Sequence, residues 1–67
     1  MELLIIRTND QYIRVKPDEF LEVNLDKASV FPMAQLDHVR ELETRLRDTG
    51  FKNVRIKKLV LTEEELS

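Results

Sequence analysis

The chain has no cysteine and no tryptophan, and its 67 residues include one glycine, two prolines and one histidine. Without cysteine there can be no disulfide scaffold, no thiolate zinc site and no thiol chemistry. A single glycine excludes a glycine-rich phosphate loop. The longest apolar run, residues 3–6, is far shorter than the ~20 residues of a membrane span, and the N-terminus has no signal-peptide pattern. We therefore expect one cytoplasmic domain over residues 1–67, with no cofactor and no membrane partner.

Charged residues are abundant and nearly balanced, with 11 Lys and Arg against 13 Asp and Glu and a formal net charge of −2. Their placement is uneven, because the cations at 52, 55, 57 and 58 are followed by glutamates at 63–65. We expect residues 61–67 to form a frayed acidic tail or a short helical turn. The single core of a domain this small rarely supplies more than ~3–5 kcal/mol of folding stability, so self-association is one route to added stability.

Several segments either alternate apolar with polar residues or are rich in β-branched residues, and both patterns are typical of strands. The first turn between them contains Asn9 and Asp10, which tolerate positive φ. Residues 17–19 make the next turn, with Pro17 at its first corner. The predicted strands are residues 1–8, 11–16 and 20–25, a short extended piece at 28–31, and, after a helix, residues 51–61.

The helix is predicted from apolar residues that recur on one face. The residues of this stripe, at spacings of three or four, are Met33, Leu36, Val39, Leu42 and Leu46. Pro32 suits the first turn, where its missing N–H costs nothing. Gly50 is predicted to end the helix in the left-handed conformation, with Phe51 packing back on Leu46.

The turns set the register of the strands, because directly opposed residues share a face of the sheet. The first turn opposes Ile6 with Ile13, and a three-residue turn at 17–19 opposes Val15 with Leu21. The last strand follows a helix and is expected to run parallel to the first strand. The sequence therefore predicts an α+β fold of ββ(β)αβ type: a β-meander extended to a mixed four-stranded sheet of order 3-2-1-4, with one helix packed on one face.

A single helix covers only one face of the sheet, so the other face is free for contacts. A contiguous apolar patch on a small monomer usually marks an interaction site. We therefore predict a non-enzymatic protein-interaction module whose partner is a second copy of itself, as a homodimer, or another protein. The residues predicted to form this surface are Leu3, Ile5, Arg7, Tyr12, Arg14, Lys16, Phe20, Arg55 and Lys57.

The candidate catalytic residues do not form a recognisable constellation. Ser29, His38 and Asp37 offer a nucleophile, a base and an orienting group, but Asp37 and His38 are neighbours on the helix and their side chains diverge. His38 and Glu41 have the spacing of half a metal site, and we interpret them as part of a solvated helix face. We expect no enzymatic activity and no bound metal.

The alternative function is a single-stranded nucleic-acid-binding accessory protein that uses the same surface. In this hypothesis Tyr12 and Phe20 stack on bases, while the interleaved Arg and Lys side chains hold phosphates. The net charge of −2 argues against it, because such domains usually carry a basic excess.

Two short segments, residues 12–16 (YIRVK) and 26–32 (DKASVFP), precede the charged helix and the closing strand. In this arrangement residues 3–61 resemble small bacterial proteins of prophage and mobile-element type, in which a strand hairpin leads to a Lys-Ala-x-x-Phe-like segment and then a helix. The resemblance implies a phage-encoded accessory or interaction module, and it supplies no catalytic or binding residue.

Overall fold

The computed structural model describes residues 1–60 and 62. The acidic tail or helical turn predicted over residues 61–67 therefore lies outside the described residues, apart from Thr62. Two short 3₁₀ turns, Leu25–Lys27 and Met33–Gln35, connect the larger elements. In chain order these larger elements are β1 (Glu2–Thr8), β2 (Gln11–Val15), β3 (Phe20–Val23), β4 (Phe31–Pro32), α1 (Leu36–Thr49) and β5 (Arg55–Val60).

β1 is the central strand of the sheet. Arg7 pairs with Tyr12 of β2 and also with Arg55 of β5, so these two strands lie on opposite edges of β1. The strand order is β3-β2-β1-β4, with β5 also paired to β1. The predicted α+β class and the 3-2-1-4 order are confirmed, and α1 packs against the sheet through β1, β4 and β5.

Within residues 1–60 and 62 the sheet has five strands, and all of their pairings are antiparallel, so the prediction of a mixed four-stranded sheet was wrong in this respect. β5 runs antiparallel to β1 and pairs Val60 with Glu2. The reason lies in Phe31–Pro32, which forms β4 and is itself antiparallel to β1. This short strand reverses the chain before α1 begins, so that the helix returns the chain in the opposite direction from the one expected.

The hairpin of β1 and β2 pairs only near its turn. Arg7 lies opposite Tyr12 and Thr8 lies opposite Gln11, as a two-residue turn requires. Asn9 in that turn has a φ of 50°, in the left-handed region that asparagine tolerates. Farther from the turn the two strands have no ladder pairs with each other, so the expected continuation of the hairpin toward Ile6 and Ile13 does not form.

The chain that leads into β4 takes the edge of β2 that β1 was expected to occupy. The Ser29 backbone N–H donates to the Ile13 carbonyl at 3.1 Å, and the Val15 N–H donates to Ser29 Oγ at 2.8 Å. Two residues later Phe31 pairs with Leu4 of β1. Residues 29–32 therefore separate β1 from β2 and bond to both strands, which satisfies backbone groups that the two strands leave unpaired.

The turn between β2 and β3 is one residue shorter than predicted, with Pro17 and Asp18 at its tip. Val15 pairs with Phe20, and the Lys16 N–H donates to the Glu19 carbonyl at 3.0 Å across the turn. The predicted three-residue turn at 17–19 was therefore wrong, and every pair along β3 moves by one position. Such a shift exchanges the two faces of a strand.

The shift places Phe20 on the helix side of the sheet and Leu21 on the opposite side. It also sets Glu22 opposite Ile13, where the predicted three-residue turn would set Val23. Glu22 remains exposed, since β3 is an edge strand and its side chains can turn toward water. The shorter turn therefore pairs Glu22 with Ile13 without burying the Glu22 charge.

The end of α1 confirms its prediction. Gly50 has a φ of 109°, and its N–H donates to the Arg47 carbonyl at 3.1 Å. The Phe51 N–H donates to the Leu46 carbonyl at 3.1 Å. These two bonds satisfy carbonyls that the last helical turn would otherwise leave without donors.

The core lies between α1 and the sheet. Phe31, Phe51 and other half-buried residues surround it. Its buried members are Leu4, Ile6, Ile13, Val39, Leu42, Leu46 and Val54. At one end Thr8, which is 1% exposed, donates from Oγ1 to the Lys52 carbonyl at 2.6 Å. This bond joins the end of β1 to the segment that follows α1.

Candidate functional site

The side of the sheet away from α1 is the candidate functional surface, and we call it the reverse face. Its members follow from the register, because opposed residues share a face. They are Leu3, Ile5, Arg7, Tyr12, Arg14, Leu21, Val23, Pro32, Arg55, Lys57 and Leu59.

Most of the residues predicted for the interaction surface lie on the reverse face. Those that the structure brings together there are Leu3, Ile5, Arg7, Tyr12, Arg14, Arg55 and Lys57. Phe20 does not belong to this group, because its ring packs edge-on against Phe51 with centroids 6.3 Å apart, on the helix side. The Arg45 guanidinium lies 5.5 Å from the Phe20 centroid. Lys16 lies in the turn after β2 and lines a hollow with Phe20 and Arg45.

The reverse face is less open and less apolar than expected. Ile5 is only 4% exposed, and Leu3 is half-buried. Of the four exposed residues of this face, Pro32 is apolar and the other three, Arg14, Arg55 and Lys57, are cationic. Ile5, which the prediction included in the interaction surface, therefore offers almost no surface to a partner.

The apolar part of the reverse face lies at one end of β1. Leu3 pairs with Pro32 on one side and with Leu59 on the other, which forms a row across three strands. Leu59 is half-buried, and Met1 beyond this row is 80% exposed. We call Pro32, Leu3 and Leu59 the apolar row.

The other end of the reverse face carries a cationic hollow of about 740 Å³. Its lining residues are Arg7, Asn9, Asp10, Asn53, Arg55 and Lys57. Asp10 is the one carboxylate among them. Within residues 1–60 and 62 the ion pairs lie elsewhere, between Arg47 and Glu43 at 3.3 Å and between Lys58 and Glu2 at 2.8 Å. The cations of the hollow are therefore available to an anionic group.

Hydrogen bonds hold Arg7 in place at the centre of the hollow. Its Nε donates to the Asn9 carbonyl at 3.1 Å, and its Nη1 lies 3.5 Å from the Tyr12 hydroxyl. The guanidinium carbon is 5.4 Å from the centroid of the Tyr12 ring, within the range of a cation–π contact. One face of Tyr12 is thus already covered, which leaves less of the ring for stacking on a base.

Two asparagines form the rim of the hollow. Asn53 Nδ2 donates to Asn9 Oδ1 at 2.7 Å, across two separate turns of the chain. Both residues adopt the left-handed conformation, with φ values of 50° for Asn9 and 55° for Asn53. Sequence reasoning identified Asn9 only as a turn residue and did not identify Asn53. The residue type of Asn53 could have indicated its left-handed conformation, because asparagine is enriched at positive φ.

Lys58 and Glu2 form an ion pair on the helix side of the sheet. Their nitrogen and oxygen atoms are 2.8 Å apart, and both side chains are about half exposed. The hydrogen bond from Lys58, together with its charge, holds the pKa of the Glu2 carboxyl below its ordinary value. The same contact raises the pKa of the Lys58 ammonium. Lys58 therefore does not contribute to the cationic hollow, although it is adjacent to Lys57 in sequence.

The residues considered for catalysis have other contacts. Ser29 Oγ accepts the Val15 N–H, and the His38 ring lies edge-on to Phe31 with centroids 6.1 Å apart. Within the part of the chain that the structure describes, no three His, Asp or Glu side chains are grouped as a metal site would need. In the same residues, no helix is long and apolar enough to cross a membrane.

We compared the chain with protein-family models, with curated proteins and with solved structures, and none of the three comparisons returned a match.

Proposed function

We propose that the protein is a small, non-enzymatic protein-interaction module that contacts a second copy of the same chain through the reverse face. The observation that carries this proposal is the division of that face into the apolar row and the cationic hollow. Protein interfaces combine apolar residues with arginines, and this face supplies both, at opposite ends of β1. A phage-encoded accessory role in the cytoplasm, expected from the sequence, is part of the same proposal.

The small size of the domain supports self-association in particular. A chain of 67 residues without a disulfide has few ways to increase its stability, and oligomerisation is one of them. Burial of the apolar row against a partner would remove Leu3, Leu59 and Pro32 from water. This would favour association by roughly 25 cal/mol of free energy for each Å² of apolar surface buried.

A second candidate function is binding of nucleic acid, and the cationic hollow favours it. Arg7, Arg55 and Lys57 line one hollow and could hold phosphates by charge. Stacking has little support, because Phe20 lies on the helix side and Arg7 covers one face of Tyr12. Titration with a fluorescent single-stranded oligonucleotide at several salt concentrations tests this candidate, which requires an affinity that falls as salt rises.

The proposed self-association is tested by measuring the absolute mass with light scattering during size exclusion, over a concentration series. We expect a species of about twice the 8.0 kDa chain mass. The variant Leu59→Glu should shift it to the monomer, because a carboxylate would be placed in the apolar row. Ala34→Glu, at an exposed position before α1, adds the same charge elsewhere and should leave the mass unchanged.

A monomer at every concentration of the unmodified chain would end the proposed self-association. Circular dichroism of both variants is the accompanying control. A change from dimer mass to monomer mass shows lost association only when the variant keeps its fold. If Leu59→Glu remains a folded dimer, the apolar row is not part of the contact.

A further inference from the structure

Three cations of the reverse face lie closer together than the stability of the sheet favours. Arg7 of β1 lies directly opposite Arg55 of β5, and opposed Cα atoms of an antiparallel pair are about 4.5–5.5 Å apart. Lys57 follows two residues after Arg55 and lies on the same face of β5. Like charges in directly opposed positions of a sheet are destabilising. The arrangement therefore lowers the stability of the fold unless an anion neutralises it.

The carboxylates of the described residues leave these cations unpaired. Within residues 1–60 and 62 the ion pairs join other side chains, as described above. Asp10 lines the hollow but lies beyond ion-pair distance of its three cations. One carboxylate among three cations leaves the hollow with an excess of positive charge, although the formal charge of the whole chain is −2.

Arg7 is held in position without a ligand. Its Nε donates to the Asn9 carbonyl at 3.1 Å, and its guanidinium carbon lies 5.4 Å from the centroid of the Tyr12 ring. These contacts use only part of the N–H groups of the guanidinium, and the others are able to donate to an oxyanion. Because the side chain is half-buried and already ordered, binding through it loses less conformational entropy.

The rim of the hollow adds neutral hydrogen-bond donors. The bond from Asn53 Nδ2 to Asn9 Oδ1 uses one N–H of Asn53 and leaves its second N–H and the Nδ2 group of Asn9 available in the described residues. Phosphate oxygens accept hydrogen bonds from side-chain amides as well as from arginine and lysine. The hollow of about 740 Å³ also lies within the roughly 300–1,000 Å³ that is usual for small-molecule sites.

We propose that the cationic hollow binds a compact oligophosphate group, the diphosphate or triphosphate of a small molecule. Arg7 and Arg55 each present a planar set of N–H donors to phosphate oxygens, and Lys57 adds a point charge. The site is independent of the proposed self-association, because its three cations belong to one chain and lie at the opposite end of β1 from the apolar row.

Two features favour a compact ligand over a nucleic-acid strand. The net charge of −2 repels a long polyanion that extends beyond the hollow, whereas a small anion experiences mainly the charges within a Debye length of about 8 Å. Aromatic surface for stacking is also scarce, because Arg7 covers one face of Tyr12 and Phe20 lies on the helix side. The ligand is therefore recognised through its phosphates.

Calorimetric titration of the full chain with pyrophosphate and with tripolyphosphate, at constant ionic strength set by chloride, tests the site. We expect saturable binding and a melting temperature that rises with the ligand concentration. Arg55→Gln should weaken the affinity by about tenfold or more, because it removes a charge-assisted contact. Arg14→Gln removes the same charge from an exposed position of the reverse face outside the hollow and should leave the affinity unchanged.

The melting temperature of the ligand-free chain provides a second readout. Arg55→Gln should raise it in chloride, because the repulsion from Arg7 is relieved, and should remove the response to pyrophosphate. Asp10→Asn removes the carboxylate of the hollow with a residue type that suits a turn, and it should tighten binding. A ligand-free Arg55→Gln that is less stable than the native chain would contradict the repulsion between the two arginines and overturn the proposal.

Other ligands in the same titration distinguish the source of the phosphates. A nucleoside triphosphate should bind with the affinity of tripolyphosphate, and an oligothymidylate at equal phosphate concentration should bind more weakly. Tighter binding of the oligothymidylate would overturn the compact ligand in favour of nucleic acid. No saturable binding of pyrophosphate, or equal affinities of Arg55→Gln and Arg14→Gln, would overturn the site itself. The mass measurement tests self-association separately, so each proposal can fail alone.

Discussion

Thr8 shows how one polar side chain can connect distant parts of a small fold. It is 1% exposed, and its hydroxyl donates to the Lys52 carbonyl at 2.6 Å. The neighbouring Asn9 accepts from Asn53 at 2.7 Å, so two bonds hold the first turn against the segment between α1 and β5. These bonds also position the rim of the cationic hollow. From the sequence Thr8 was only the last residue of a strand, because a long-range hydrogen bond leaves no local pattern.

Removing this hydroxyl should destabilise the protein measurably. Thr8→Val keeps the shape of the side chain but leaves the Lys52 carbonyl without its donor, and we expect a loss of about 1–3 kcal/mol in the free energy of unfolding. Urea denaturation followed by circular dichroism measures it. Thr44→Val is the matched control, because the Thr44 hydroxyl is exposed and bonds only within the helix, to the Arg40 carbonyl. Equal losses in the two variants would contradict a structural role for the Thr8 bond.

The sequence predicted the buried face of the helix correctly but placed Phe20 on the wrong side of the sheet. Val39, Leu42 and Leu46 were expected on the buried face of the helix, and all three are buried, because a period of 3.6 defines that face over several turns. Phe20 was placed on the wrong side because the turn before β3 is one residue shorter than predicted. Turn length is weakly encoded in the sequence, and an error of one residue moves every side chain of the strand to the other face.

At the scale of the elements, the direction of β5 depended on the shortest strand. β4 has two residues, Phe31 and Pro32, which is too few to show any hydrophobic period. It nevertheless reverses the chain before α1 and thereby makes β5 antiparallel to β1. The order of the strands was predictable because consecutive strands usually lie side by side. Their direction was not, since it depended on the Ser29 bonds that draw this segment between β1 and β2.

The end of α1 was predictable, and its energetic contribution can be tested. Gly50 has a φ of 109°, and a Cβ built on it meets no atom within 4 Å, so a substitution there introduces backbone strain without a clash. We expect Gly50→Ala to lower the free energy of unfolding by about 1–2 kcal/mol. Gly50→Asn should cost less, because asparagine tolerates this conformation. Thermal and urea denaturation would show the ranking, and an alanine variant as stable as the native protein would contradict it.

For the whole molecule, the net charge conceals a separation of charge along the chain. The formal charge is −2, yet Arg7, Arg55 and Lys57 line one hollow. The sequence showed the basic block and the acidic block that follows it. Only the fold shows that Arg55 and Lys57 of the basic block share a hollow with Arg7 of β1.

Stability of the whole molecule should depend on one core and, if two copies pair, on concentration. Leu46 is 0% exposed at the centre of the interface between α1 and the sheet. Leu46→Ala should cost about 2–5 kcal/mol, which is comparable with the ~3–5 kcal/mol that a domain of this size gains from its core. We therefore expect a largely unfolded chain at low micromolar concentration. Leu36→Ala, in the same helix at a half-buried position, should cost less and leave the domain folded.

Raising the protein concentration should then partly restore the fold of Leu46→Ala, because association of folded copies shifts the folding equilibrium by mass action. The measurement is the circular dichroism of the helix from low to high concentration, with Leu59→Glu added to Leu46→Ala as the control. Recovery that disappears in the control would connect folding to contact through the apolar row. Recovery of the same size with and without Leu59→Glu would show that the copies stabilise one another through a different surface.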